Sequence, residues 1–532
     1  MAGVGLCLAL GFSALAGPAA GASISGIALG AATRLPVTGS DAEDPVLAMN
    51  AAGRYVIAYA QTDPFGPFGV LTGNAASGRI QAARVRQLGN KADVSPVQPA
   101  VGSDGQVALG WSVRRQLHPA NRVAFGIDIG TRAARPQARW VTRTALVPTV
   151  RYDPSDDAPA PSGVVYAGRR LLEDWTTQSK SASRLVLARQ TAPGGRFRAR
   201  VLLRTTSLTT IQSGGLAVDG NGDPVLVASL QPVLRATDAP SASTSRESVV
   251  AFTAQPNGRL GGPQRLRRGC NAAGLAVAAS GQAAVVMLCN TTGGRFQVWV
   301  SERAPDRRFG PAQRVSGPGV DGVFPSVRII PDGRVCLAWD RVVGTAKTFD
   351  ANIVRTDVSC ARPDRRFGRP SWQTDPYPTQ LNGPQLLAEP SGLTLTRGDR
   401  DGRVILQRLL PHSHLGPVVA LSGPWVRNQT VMVDSHGHGI AVWDTTSNHR
   451  NQPQARSFTL PYAEHLAPPG DGADHAVRVT HREMAGSGRR SGSIHARLAA
   501  SLSRTASLKK CPVMRLSRRM GFSAMNSSKV SA

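Results

Sequence analysis

The sequence repeats one unit, in which a turn that contains glycine separates two short apolar segments. Its clearest copies begin at the turn glycine and cover residues 53–59, 105–111, 222–228, 281–287, 333–339 and 437–443. Weaker copies turn at Gly163 and Gly392, and successive turn glycines lie 45 to 59 residues apart. A period of this length predicts an array of stacked repeats.

Each unit has room for four short strands. The hairpin is followed by a third apolar segment and by a punctuated turn, which reads Pro-Asp-Arg-Arg-Phe-Gly at residues 305–310 and again at 363–368. A fourth segment follows, for example residues 312–316, and the second segment is apolar on both alternating faces. Four short strands in a sheet covered on both sides are the content of a propeller blade. The sequence therefore predicts an all-β chain, a β-propeller of eight four-stranded blades, or of seven if the degenerate unit at residues 140–200 is not one.

Over residues 30–462 the pattern resembles secreted bacterial β-propeller proteins. The motifs of two named propeller families are incomplete or absent in this sequence. The Trp-Asp dipeptide of WD40 repeats occurs at Trp339-Asp340 and Trp443-Asp444, without the upstream Gly-His pair at the family's spacing. No hairpin carries the Asp-box turn of sialidases. The resemblance therefore implies an architecture rather than a family.

A propeller of this kind needs its ring closed. Residues 34–37 are expected to pair with the last segment, residues 455–461, and to complete the first blade. Closure removes the free sheet edges and holds the two ends of the ring together.

The ends of the chain differ from the repeats in composition. Residues 4–16 are apolar and uncharged and precede a small-residue triplet, which predicts a signal peptide over residues 1–22. We expect the propeller at residues 23–462, a linker at 463–483 and a disordered basic tail at 484–532, a segment with no Asp or Glu. The expected location is extracellular or in the cell envelope, with no transmembrane segment in the mature chain.

Four of the six cysteines fall within the repeats, and four cysteines can pair in three ways. The predicted hairpins favour one of these pairings, because Cys270 and Cys289 flank one turn and Cys336 and Cys360 flank another. Facing positions in antiparallel strands come within disulfide reach. The bridges Cys270 to Cys289 and Cys336 to Cys360 are therefore predicted, with four buried thiols as the alternative.

Three polar clusters could carry chemistry. His412 and His414 are expected in the turn between the last two blades, and His436 and His438 in the hairpin of the last blade, so four imidazoles could hold a divalent metal. Solvated turn residues are the competing interpretation. Residues 219–223 resemble the start of a calcium loop and also suit a tight turn. Asp399 and Asp401 pair two carboxylates without an identifiable partner.

The charge is strongly basic, with 62 Lys and Arg against 34 Asp and Glu and a net charge of +28. The sequence contains no Gly-x-Ser-x-Gly motif, no Walker phosphate loop, no dinucleotide-binding motif and no His-Glu-x-x-His motif. We therefore expect a monomeric extracellular binding or scaffold protein without a cofactor, which recognises an anionic polysaccharide, a cell-wall polymer or a protein. Few aromatics and the export signal argue against nucleic acid. The alternative function is a carbohydrate-active hydrolase or lyase with a dispersed site.

Overall fold

A computed structural model describes most of the chain between residues 26 and 461. The described residues are 26–36, 42–61, 68–78, 80, 84–86, 93–94, 98–117, 120–130, 140–144, 150–152, 161–179, 182–206, 208–233, 247–255, 260–291, 295–305, 307–345, 352–363, 365–378, 383–389, 392–447 and 450–461. They form an all-β fold. Two short 3-10 turns, Ala75–Ser77 and Pro411–Ser413, are their only helical segments.

The first seventeen strands are β1 (Ala28–Arg34), β2 (Ala42–Met49), β3 (Arg54–Gln61), β4 (Phe68–Asn74), β5 (Arg84–Arg86), β6 (Asp93–Val94), β7 (Gln98–Val101), β8 (Val107–Leu117), β9 (Ala120–Gly130), β10 (Trp140–Thr144), β11 (Val150–Tyr152), β12 (Pro161–Ala167), β13 (Arg170–Ser179), β14 (Ala182–Gln190), β15 (Phe197–Thr206), β16 (Thr209–Val218) and β17 (Pro224–Pro232).

The others are β18 (Ser248–Thr253), β19 (Gln264–Arg268), β20 (Cys270–Val277), β21 (Ala283–Asn290), β22 (Phe296–Arg303), β23 (Gln313–Arg314), β24 (Gly322–Ile329), β25 (Val335–Thr345), β26 (Asn352–Ala361), β27 (Trp372–Gln373), β28 (Tyr377–Pro378), β29 (Gln385–Glu389), β30 (Gly392–Gly398), β31 (Val404–Leu409), β32 (Leu415–Ala420), β33 (Val426–Val433), β34 (His438–Ser447) and β35 (Arg450–Thr459).

These strands make eight antiparallel sheets, which confirms the β-propeller with eight blades within the described residues. Strands A to D of a blade follow the chain from the centre outward. The blades are, in order, β2–β5, β6–β11, β12–β15, β16–β19, β20–β23, β24–β28, β29–β32, and β33–β35 with β1. The A strands β2, β7, β12, β16, β20, β24, β29 and β33 contact one another in a closed cycle. The innermost strands therefore form a ring.

The hydrophobic core lies between neighbouring blades, because both faces of strand B are apolar. In β25, Val335, Leu337 and Trp339 pack toward blade 5, while Cys336 and Ala338 pack toward blade 7. A strand covered on both faces must be apolar on both, as the sequence predicted. Burying one such large side chain contributes roughly 1.5–3 kcal/mol.

The turn between strands A and B depends on glycine. Gly222, Gly333 and Gly437 have φ values of 80°, 82° and 85°, a region that L side chains rarely adopt. In blade 3 the turn glycine is Gly168, with φ 59°, and Gly163 instead lies inside β12. The expectation for Gly163 was wrong because this turn is only two residues long and lacks the motif of the other blades.

The ring closes through β1, which pairs with β35 as the outermost strand of blade 8. The register joins Ala28 to Thr459 and Arg34 to Gln454. The predicted partner segment at the end of the chain is confirmed. The N-terminal strand ends at Arg34, where residues 34–37 were expected, and it completes the last blade rather than the first.

Both predicted disulfides are confirmed. Cys270 faces Cys289 across strands A and B of blade 5, and Cys336 faces Cys360 across strands B and C of blade 6. Each bridge therefore joins neighbouring strands of a single blade.

The expected signal peptide, linker and basic tail lie outside the described residues and stay predictions. No helix within the described part of the chain has the length and apolar character needed to cross a bilayer.

Candidate functional site

The two ends of the ring differ. The A–B and C–D turns lie at one end, which we call the AB end. The B–C turns and the connections between blades lie at the other, the BC end. At the AB end, hydrogen bonds join the turns of neighbouring blades. Ser435 Oγ donates to the Ala51 carbonyl at 2.8 Å, Asn50 Nδ2 to the Gly102 carbonyl at 2.7 Å, and Gln282 Nε2 to the Gly333 carbonyl at 2.8 Å.

Polar groups inside the blades lie nearer the BC end. In β25 and in β34, the B strands of blades 6 and 8, an apolar run ends at a tryptophan and is followed by a buried aspartate, Asp340 or Asp444. Because strand B runs from the AB end to the BC end, the apolar half of the space between blades faces the AB end. In these two blades the polar half faces the BC end.

A cluster of polar side chains lies between blades 6 and 7. Asp340 Oδ1 accepts hydrogen bonds from Thr356 Oγ1 at 2.7 Å and from Tyr377 OH at 2.8 Å. The guanidinium of Arg397, from blade 7, lies 4.6 Å from the centre of the Tyr377 ring. The cluster ties two blades together through an acid, a phenol and a cation.

Two carboxyl groups of blade 6 are perturbed by burial. Burial raises the pKa of Asp340 to about 6, and the hydrogen bonds from Thr356 and Tyr377 oppose this increase. Burial likewise raises the pKa of Asp357 to about 6, against the effect of Arg341, whose Nε lies 3.3 Å from Asp357 Oδ2. Both side chains are nearly inaccessible, at 1% and 2% exposure, so neither reaches a ligand from solvent.

An exposed tryptophan stands at the BC end, on the connection from blade 7 to blade 8. Trp425 is 65% exposed and has a φ of 61°, which is a strained conformation for a bulky side chain. Its backbone N–H donates to the carbonyl of Asp401 at 3.3 Å, in the B–C turn of blade 7. Asp401 Oδ2 in turn lies 3.3 Å from Nη2 of Arg403. The backbone of the exposed tryptophan is therefore attached to the turn that carries the Asp401 and Arg403 ion pair.

Backbone strain recurs nearby. Asn428 has a φ of 51° at a bulge in β33, and its Nδ2 donates to Asp444 Oδ2 at 3.1 Å. Phe324 has a φ of 50° at the equivalent bulge in β24. Left-handed backbone at non-glycine residues persists where surrounding contacts impose it, and it concentrates at functional sites. Three of the five such residues described here lie toward the BC end of blades 6 and 8.

The predicted histidine cluster is divided between two turns. His412 lies in the 3-10 turn between β31 and β32, so it is inside blade 7 and not between the last two blades. His436 and His438 lie in the A–B turn of blade 8, with ring centres 6.2 Å apart, and His438 Nδ1 lies 3.1 Å from Asp434 Oδ2. Within the described residues, no three His, Cys, Asp or Glu side chains are grouped to hold a metal ion. The metal site of His412, His414, His436 and His438 stays a prediction.

The other two polar motifs form turns. Asp219 Oδ1 accepts from the N–H groups of Asn221 and Asp223, both at 2.9 Å. Asp399 Oδ1 accepts from those of Asp401 and Arg403, both at 2.8 Å. This geometry favours the tight-turn interpretation of residues 219–223, and it places Asp399 and Asp401 in a turn of the same kind.

Sequence reasoning missed Trp425. The available signal was a large apolar residue after Gly423-Pro424, in a segment whose turn residues predict a loop. A tryptophan in a loop has no strand neighbour to bury it.

No protein-family model matches the sequence, and no curated protein matches it. Among solved structures, the chain is similar to the polysaccharide lyase PL25 ulvan lyase, with 9% identity, a TM-score of 0.41, and coverage of 80% of this chain and 93% of that one. It is similar to the α-L-arabinofuranosidase Arb93A from Fusarium graminearum, with 10% identity, a TM-score of 0.36, and coverage of 69% and 93%. It is also similar to the β-propeller domain of the Trilobed protease from Pyrococcus furiosus, with 7% identity, a TM-score of 0.36, and coverage of 72% and 99%.

Proposed function

We propose that the protein binds an extracellular polysaccharide at the BC end of blades 7 and 8. Trp425 would stack against a sugar ring, while Asp401, Arg403 and the exposed Arg427 would contact hydroxyl or acidic groups. The strained and exposed Trp425 is the observation that carries this proposal. Tryptophan supplies a large, rigid contact surface and is enriched among the residues that dominate binding energies.

Two further features support the proposal. The two disulfides are typical of proteins that work in oxidising compartments, where polysaccharides are available as ligands. The connections between blades lie at the BC end, and Trp425 stands on one of them. Binding loops positioned by a rigid scaffold are the usual arrangement in proteins.

The test is the variant Trp425→Gly, measured by calorimetry against neutral and acidic polysaccharides and peptidoglycan fragments. We expect affinity for the bound polymer to fall at least tenfold. We also expect the unfolding free energy to be retained, because glycine removes left-handed strain of about 1 kcal/mol. The matched control is Leu208→Ala, since Leu208 is 51% exposed at the BC end of blade 4. Full affinity in Trp425→Gly, or no binding by the wild-type protein, would contradict the proposal.

A carbohydrate-active hydrolase or lyase is the second candidate. The observation in its favour is the pKa of about 6 for Asp340 and for Asp357, which suits a general acid. Their burial speaks against contact with a substrate. Examination of each polymer for cleavage after binding distinguishes the candidates, because cleavage that disappears in Asp340→Asn would establish the enzyme.

A further inference from the structure

The outer parts of blades 3 and 4 face each other across a groove with arginine on both walls. On blade 3, Arg200 lies opposite Leu187 in the ladder of β14 and β15, and Arg198 lies two residues earlier on the same side. Leu187 belongs to the apolar cluster that fills the space between blades 3 and 4. Arg198 and Arg200 therefore point toward blade 4.

The opposing wall has the same character. Arg265 lies opposite Val250, and Arg268 lies opposite Ser248, in the ladder of β18 and β19. Val250 belongs to the same apolar cluster as Leu187, so these two arginines point toward blade 3. We call the space bounded by Arg198, Arg200, Arg265 and Arg268 the basic groove. Leu203 and Leu260, both partly buried, pack on the cluster beneath it.

The four arginines of the basic groove have no acidic partner within the part of the chain that the structure describes. All four arginines are exposed, and none forms an ion pair or side-chain hydrogen bond with another described residue. Residues 182–218 and 248–301, which supply both walls, contain no Asp or Glu.

Protection of sheet edges is the competing explanation, because β15 and β19 are outermost strands and charged side chains discourage edge-to-edge pairing. Edge protection accounts for a charge on each strand. Edge protection does not explain why four arginines from two blades point into one groove above an apolar surface.

We propose that the basic groove binds an acidic polysaccharide, separately from the site at Trp425. Guanidinium groups bind carboxylate and sulfate oxygens with paired hydrogen bonds, and the leucines offer a surface for the apolar faces of sugar rings. Single-stranded nucleic acid is less suited, because its binding sites add aromatic side chains for the bases. The groove walls present four arginines and no exposed aromatic ring within the described residues. Blade 3 lies four blades from blade 7, across the ring.

The experiment uses the full chain and the variant with Arg198, Arg200, Arg265 and Arg268 all changed to Gln. The matched control changes Arg307, Arg308, Arg365 and Arg366 to Gln, four exposed arginines in C–D turns of blades 5 and 6. The probes are dextran sulfate, polygalacturonate, neutral dextran and a single-stranded DNA, each titrated at several salt concentrations. The basic tail is present in every variant, so its contribution is common to all.

We expect the groove variant to lose at least fivefold in affinity for dextran sulfate or polygalacturonate and to show a shallower salt dependence. The control should change less than twofold, and neutral dextran should not bind the groove. Equal losses in both variants would show attraction by net charge alone and overturn the proposal. Unchanged affinity in the groove variant, or tighter binding of DNA than of either acidic polysaccharide, would also overturn it. Trp425→Gly should leave binding at the basic groove intact. A failure of the groove proposal can therefore be distinguished from a failure of the proposed function at Trp425.

Discussion

At the scale of single residues, strain and burial are distributed unevenly. Phe324, Trp425 and Asn428 have left-handed backbone near the start of A strands, where a bulge lets the innermost strand bend. Two of these side chains are bulky aromatics, for which a positive φ is unusual. The same blades hold the buried acids Asp340 and Asp444 on strand B. Blades 6 and 8 therefore combine left-handed backbone with buried acids.

The buried acids make stability depend on pH. Burial raises the pKa of Asp340 and of Asp357 to about 6, so between about pH 4 and pH 6 the folded state holds protons that the unfolded chain has released. The unfolding free energy should therefore fall as the pH rises through this window, and be fully retained below it. For Asp340 we expect a loss on the order of 2 kcal/mol.

Urea unfolding at several pH values checks this prediction. Asp340→Asn keeps an oxygen that can accept from Thr356 and Tyr377, and it should flatten the decline between pH 4 and pH 6. Asp332→Asn is the control, because Asp332 is exposed in a turn. If the unfolding free energy of both variants depends on pH as it does in the wild-type protein, the titration of Asp340 is not the cause of the decline.

At the scale of secondary-structure elements, hairpins with local turn signals were predictable. A glycine between two apolar segments specifies both the turn and the partner strand, and a hairpin then determines which cysteines face each other. The turn at Gly168 was missed because it lacks the motif of the other blades. The position of His412 was also missed, because Pro411–Ser413 forms a 3-10 turn within blade 7 where a connection between blades was expected.

The disulfides provide a prediction at this scale. Their sequence separations are 19 and 24 residues, so loop-closure entropy assigns each about 3 kcal/mol of stability. Replacing Cys336 and Cys360 with Ala should lower the unfolding free energy by that amount. The pair Cys270 and Cys289 should give nearly the same loss, as measured by denaturant unfolding. A loss below about 1 kcal/mol in either variant would show that the disulfide does not stabilise the protein by restricting the unfolded chain.

At the scale of the whole molecule, β1 determines whether the ring is closed. A chain that starts at Leu35 lacks β1 and leaves β35 as an open edge, so we expect its melting temperature to fall by roughly 5 °C or more. We also expect aggregation that increases with concentration, because an unpaired strand edge recruits other strands. Calorimetry and light scattering against a chain starting at Ser23 test this. Equal melting temperatures would show that the ladder of β1 and β35 adds little.

The ring was predictable from the repeat, whereas the candidate sites were not. The spacing of the glycines indicates a series of similar blades, while the degenerate unit at residues 140–200 left their number at eight or seven. The Trp425 site and the basic groove each combine residues from neighbouring blades. Arg198 and Arg268 are 70 positions apart in the chain, and only the register of two separate ladders shows that they point into one groove.

The ladder of β1 and β35 also has a mechanical consequence. Ala28 pairs with Thr459, so the first residue of β1 and the last residue of β35 lie at the same end of the ladder. A force that pulls the two ends of the propeller apart would load these hydrogen bonds one after another, as in a zipper, and never all at once in shear. The closure that protects the ring at rest would therefore open under tension at a small force, starting from Ala28.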